Sequence, residues 1–227
     1  MSRALAALLL AGLAPLAFAG PPAIGLVWWP GDPADPRYEI GREVEACLAD
    51  TLRAEMPGLR LVPHQAIRDA LFPRLEPATQ PPDEAAFAAL LAREDVRARL
   101  RGLGLGHLVA FSGGTRYEEF QGAILCGAGY GGGGCLGFAW QDQNTRLHAA
   151  LWDLERSLRI ATEDAAAAGR SIVPAFGLPI PLMVNTRADA CRELGRRVAR
   201  AIARPGDSAP APSSPLPGVG GGQGERP

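Results

Sequence analysis

The sequence predicts an α/β fold: an α+β sandwich with a mixed sheet of about five strands and helices packed on it, in the order β-α-β-α-β-β-β-α. Three observations carry this. Short apolar runs such as residues 23–29 and 107–111 are bounded by Gly or Pro and read as strands buried on both faces. Between them lie stretches with apolar residues at helical spacing, as crossover helices over a parallel sheet require. Further along, strand patterns follow one another with no helix between, which predicts hairpins in the second half of the sheet.

Residues 23–29 (Ala-Ile-Gly-Leu-Val-Trp-Trp) make the first strand, stopped by Pro30-Gly31. Asp35-Pro36 offers an N-cap and a first-turn proline to a helix whose stripe is Ile40, Val44, Cys47, Leu48 and Leu52, ending at Pro57-Gly58. Leu59–Val62 is a short second strand, and a brief helix around Ala66–Leu71 stops at Pro73. Asp83 caps a longer helix with the stripe Phe87, Leu90, Leu91 and Leu100, closed by Gly102, Gly104 and Gly106. His107–Phe111 is the third strand and Leu147–Asp153 the fourth. A fifth covers Ser157–Asp164, with the alanines at 165–168 open to either helix or strand. Thr186 with Asp189 suggests a capping box for a last helix carrying Ala190, Cys191, Leu194, Val198 and Ile202.

The two ends read differently. Arg3, an apolar run from Ala4 to Leu16 and Ala17-Phe18-Ala19 have the layout of a secretory signal peptide over residues 1–19. Residues 20–204 then form one α/β domain. From Pro205 to Pro227 the chain turns to Pro, Gly and Ser with almost no large apolar residue, the composition of a disordered tail. No Cys follows the hydrophobic run and no second stretch is long enough to span a bilayer, so the expectation is a periplasmic or secreted protein without a lipid anchor. Without residues 1–19 the chain holds 22 basic and 24 acidic residues, a balance that gives no footprint for nucleic acid. There is no lysine, which excludes a Walker A loop, a Schiff base and a lysine general base.

An oxidising compartment makes four cysteines structural staples. Cys126 and Cys135 enclose eight residues, six of them glycine, inside a Gly-rich hairpin insertion at 112–146. A disulfide there restrains a segment that is entropically costly to order. Cys47 and Cys191 sit on the stripes of the first and last helices; they bridge if those helices pack side by side, and are buried thiols otherwise.

Little else points to chemistry. His64, His107 and His148 have no second His at three or four residues, and the Cys126–Cys135 spacing is wrong for zinc, so no metal or cofactor is expected. The glycines lack the Lys-Ser/Thr of a phosphate loop. Ser112-Gly113-Gly114 follows a buried strand but lacks the Gly-x-Ser-x-Gly pattern of a nucleophile elbow. Glu118 and Glu119 are adjacent and point to opposite faces of a strand; Asp32, Asp35, Asp142 and Asp153 suit turns and caps. Trp28-Trp29 can stack a sugar or close a core. The aromatics Tyr117, Phe120, Tyr130, Phe138 and Trp140 flank the insertion, where they either contact a partner or pack over the sheet.

The strand Ile24–Trp29, the helix with Val44–Leu52, Leu59–Val62, the strand 104–113 and the Leu151-Trp152-Asp153 strand with its final helix resemble the TolB amino-terminal domain. They also resemble its relatives, the curli-secretion and penicillin-binding-protein activator lipoproteins. That resemblance implies a non-enzymatic adaptor or assembly component with another cell-envelope protein as partner; it carries over no functional residue. Two departures stand out: no lipid-attachment cysteine, and the disulfide-length glycine hairpin. The expected function is therefore a non-catalytic envelope interaction module acting through 112–146. The alternatives are a small hydrolase built on Ser112 with His107 or His148, and a small-ligand or glycan binder using Trp28 and Trp29.

Overall fold

The computed structural model describes residues 23–29, 37–129 and 132–204. The signal-peptide, tail, Asp32, Asp35-Pro36 and Tyr130 expectations lie outside them. A six-stranded mixed sheet is covered by helices on both faces. In chain order the elements are β1 (Ala23–Trp28), α1 (Arg37–Glu55), β2 (Leu61–Val62), α2 (His64–Leu71), α3 (Glu84–Ala92), α4 (Glu94–Gly102) and β3 (Leu105–Tyr117). They continue with β4 (Gln121–Gly129), β5 (Gly132–Asp153), β6 (Leu158–Pro179) and α5 (Thr186–Ala203). As the sequence predicts, the first half is parallel, with β1 between β2 and β3, and the second half is antiparallel, with β3, β4 and β6 all pairing β5.

Alternation along β1 divides the interior in two. Ile24, Leu26 and Trp28 join Val44, Leu48 and Leu52 of α1 and Leu194 and Val198 of α5 on one face. Ala23 and Val27 join Ile67, Phe87, Leu91, Val96 and Leu100 of α2–α4 on the other. Each fully buried Leu, Ile or Phe contributes roughly 1.5–3 kcal/mol of transfer free energy, so both faces are needed to hold the sheet. Helices α1 and α5 lie close enough for Cys47 and Cys191 to be joined by a disulfide. The same approach requires a glycine one turn on: a Cβ at Gly195 would lie 2.6 Å from Thr51 Cγ2.

Several elements differ from the sequence expectation. The single helix after Asp83 is two, α3 and α4, because Arg93 takes an extended backbone (φ −69°, ψ 133°). Glu94 and Asp95 then favour a fresh helix N-terminus there. Asp83 does cap α3, its Oδ1 accepting the Ala86 N–H at 2.8 Å. At α5 the cap is Asn185, which accepts from the Ala188 N–H; Thr186 is buried, with its hydroxyl 2.8 Å from that of Thr145. The alanines at 165–168 belong to β6, where Ala161 and Ala165 face the core that α5 covers. Small side chains there let the helix sit close, and that packing overrides alanine's helical propensity.

The largest difference is in length. Strand β5 runs for 22 residues and β6 for 22, where seven and eight were expected. Residues 127–129 and 132–134, expected within a loop inside the disulfide, are ladder residues of β4 and β5.

Candidate functional site

The lower halves of β3, β5 and β6 belong to the sandwich, while β4, residues 132–142 of β5 and residues 170–179 of β6 continue past the helices as a three-stranded arm. Register fixes its two faces. Leu125, Leu136 and Phe176 stand directly opposite one another, as do Ala123, Phe138 and Pro174, and Gln121, Trp140 and Ile172. Cross-strand partners share a face, so these nine form one platform, apolar except for Gln121. Leu125 is 78% exposed, Phe176 80%, Leu136 67% and Phe138 46%. The Phe138 and Trp140 rings lie 5.6 Å apart, and the Arg170 guanidinium sits over Trp140 at 5.9 Å. Arg170 also grips Asp142 with two hydrogen bonds of 2.7 and 2.8 Å, holding that carboxyl below its usual range. This pair marks the boundary: residues 120–141 and 171–186 carry no charged side chain.

The arm holds its shape through local chemistry. Cys126 and Cys135 are direct cross-strand partners joined by a disulfide, so the bond ties two strands of the arm rather than closing a loop. Gly137 has φ +147°, and a Cβ there would come within 2.2 Å of the Ala123 carbonyl oxygen, so only glycine lets the two strands pair. After β6 the chain turns back. Ile180 donates its N–H to the Pro174 carbonyl, while Ile172 and Leu182 exchange N–H···O bonds of 3.0 and 2.8 Å. Leu178 near the end of β6 and Ile180, Leu182 and Met183 of this returning strip are also exposed.

Of the five aromatics expected at the insertion, Phe138 and Trp140 share the platform. Tyr117 ends β3 with its hydroxyl 3.5 Å from Arg187 of α5, and exposed Phe120 lies in the link between β3 and β4. Sequence reasoning missed Leu125, Leu136, Phe176 and the strip from Leu178 to Val184. The available signal was the absence of charge over two long stretches, not hydrophobic periodicity.

The other candidates are placed as follows. Trp28 is buried edge-on against Phe111, while Trp29 packs against Phe87 on the opposite face and donates its Nε1–H to Pro81. The two rings therefore do not form one stacking platform. His107 and Ser112 lie on opposite faces of β3 and cannot meet. Ser112 does stand opposite His148, which stands opposite Asp164, with His148 Nδ1 2.9 Å from Asp164 Oδ1. His148 and Asp164 are 41% and 77% exposed, and a cavity of about 30 Å³ beside them is lined by Trp29, Phe87, Ser112 and Trp152. A larger cavity of about 100 Å³ lies between Trp28, Arg42, Glu45 and His64. Asp153 turns the chain, accepting from the N–H groups of Glu155 and Arg156. Among the described residues no group of three His, Cys, Asp or Glu could hold a metal ion, and no helix is long and apolar enough to cross a membrane.

No protein-family model and no curated protein matches the chain. Several solved structures are distantly similar. The PelC dodecamer from Paraburkholderia phytofirmans is 13% identical with a TM-score of 0.36, over 79% of this chain and 85% of that one. The lipoprotein GNA1162 from Neisseria meningitidis is 12% identical with a TM-score of 0.39, over 81% and 99%. A neuraminyllactose-binding hemagglutinin homolog from Helicobacter pylori is 8% identical with a TM-score of 0.40, over 81% and 87%. These likenesses are distant and concern the fold alone.

Proposed function

We propose that the protein is a non-catalytic interaction or assembly module of the cell envelope, working through the arm and meeting another envelope protein there. One observation carries this: a platform of large apolar side chains, exposed on a rigid arm that contributes nothing to the two cores. Contiguous apolar patches of this kind mark contact surfaces, because leaving them in water is costly. An extracytoplasmic location is supported by the two disulfides and by the signal-peptide pattern of residues 1–19. The experiment is cross-linking in the periplasm followed by co-purification, with wild type beside the double variant Leu136→Asp, Phe176→Asp. Both side chains are exposed, so folding should be unaffected, and recovery of partners should fall at least about tenfold. Unchanged recovery would remove the arm from the function.

A second reading, a small hydrolase, is favoured by the row Ser112, His148, Asp164 across three adjacent strands, which has the order of a nucleophile, a base and its orienting acid. It is tested by fluorophosphonate labelling. A Ser112 adduct, lost in His148→Ala while the fold is retained, would favour the hydrolase; an unlabelled protein leaves the interaction reading in place.

A further inference from the structure

The arm has two edges, and they are treated in opposite ways. On β6 the outer edge is closed: Pro174 has no N–H to offer, the returning residues 180–182 bond back along it, and Pro179 precedes that strip while Pro181 lies within it. On β4 the outer edge has no partner among the described residues, since β4 pairs only with β5. Nine residues, Gln-Gly-Ala-Ile-Leu-Cys-Gly-Ala-Gly, present an open ladder about 30 Å long with no proline and no charge. Natural sheets guard such edges with charges, prolines, bulges or cover, because an open one is a template for another strand. A chain that closes one edge with three prolines and a return strip, and leaves the neighbouring edge bare, has that edge shaped for pairing.

We propose that the occupant is the β4 strand of a second copy, paired antiparallel about a two-fold axis at Leu125, so that two arms merge into one six-stranded sheet. This rests on reading the arm as the contact region. Each copy has one open edge on its arm, so edge pairing closes at two copies and does not propagate. The strand is complementary to itself in this register. Leu125 meets Leu125 of the other copy on the platform face, Ala123 meets Gly127, and Ile124 meets Cys126 on the opposite face, with no like charges opposed. The pairing also makes the two apolar platforms continuous.

The experiment uses the full chain in sedimentation velocity and light scattering, with Leu125→Arg and Phe176→Arg as paired variants. Both replace an exposed leucine or phenylalanine on the same face, but only Leu125→Arg puts two positive charges on the two-fold axis. The expected result is a dimer for wild type and Phe176→Arg, and a dimer weakened about tenfold or more for Leu125→Arg. A photo-cross-linker at 125, in a mixture of ¹⁴N- and ¹⁵N-labelled chains, should give mixed-isotope products joined within 121–129. A monomeric wild type, a dimer lost only in Phe176→Arg, or a cross-link to residues 1–22 or 205–227 of the same chain would each overturn the proposal. The two readings fail separately. A monomer that still captures an envelope partner through the arm sinks the pairing alone. A β4-paired dimer whose partners are indifferent to Leu136→Asp, Phe176→Asp sinks the proposed function alone.

Discussion

Replacing Cys47 and Cys191 together by alanine should lower the melting temperature by more than about 10 °C. The bond joins α1 to α5 across a sequence separation of 144 residues. In the chain-entropy view a loop of that length is worth about 5 kcal/mol. Cys191 is fully buried on the face where α1 and α5 meet the sheet, so removing both sulfurs also thins packing at the contact between first and last helix. The Cys126–Cys135 bond provides an internal comparison. It closes a separation of nine residues, worth about 2.5–3 kcal/mol in the same account, and it lies in the arm. Its removal should loosen the arm and leave the main transition nearly in place. Thermal unfolding of the two double variants under oxidising conditions checks this; a larger drop for Cys126→Ala, Cys135→Ala would refute it.

Acidification should destabilise the fold through His64. This residue begins α2, is buried, and its Nδ1 accepts the Trp28 backbone N–H at 3.3 Å, which requires a lone pair on that nitrogen. Burial, and to a lesser extent the positive charge of Arg68, pushes its pKa down from 6.5 to about 4. A base with a depressed folded pKa contributes its stability above pH 6.5. That contribution is lost as the pH falls from 6.5 through 4, and amounts to about 3 kcal/mol at most. Glu45 opposes this. Its Oε1 accepts the His64 N–H at 2.8 Å, and burial raises its pKa, so it takes up a proton more readily in the folded state. The steepest loss should therefore fall in the upper part of the window, before Glu45 titrates. His64→Asn keeps an acceptor for Trp28 without a titrating group. Urea unfolding between pH 7 and 4 should show a shallower decline for the variant, and parallel curves would contradict the assignment.

These two predictions rest on parts of the chain with very different legibility. The first and last helices were readable because each has one buried stripe: Val44, Leu48 and Leu52, then Cys191, Leu194 and Val198, at spacings only a helix satisfies. The cap at Asp83 was readable because a carboxylate before an apolar run has a direct use there. The break at Arg93 was not, since nothing in a run of helix formers announces one extended residue. The arm was nearly invisible for a physical reason. A strand solvated on both faces has no buried side to impose alternation, and six glycines between two cysteines read as loop by propensity. Its partner half, Ser171 to Pro179, hid behind prolines that a sheet tolerates only on an edge, which is where Pro174 sits. His64 was identifiable only as a lone histidine near a strand end. Its depressed pKa comes from burial and from the charge of Arg68, and that burial exists only once the chain is packed.

The 22-residue β5 has a mechanical consequence. It passes from the buried sandwich to the tip of the arm without a break, about 70 Å of continuous strand with β6 beside it for most of that length. No hinge separates the tip from the core, so the arm is a cantilever rather than a tether. Whatever grips the tip fixes the orientation of the whole sandwich, and a pull along the arm loads the β5–β6 ladder in shear, with its hydrogen bonds resisting together rather than opening one by one.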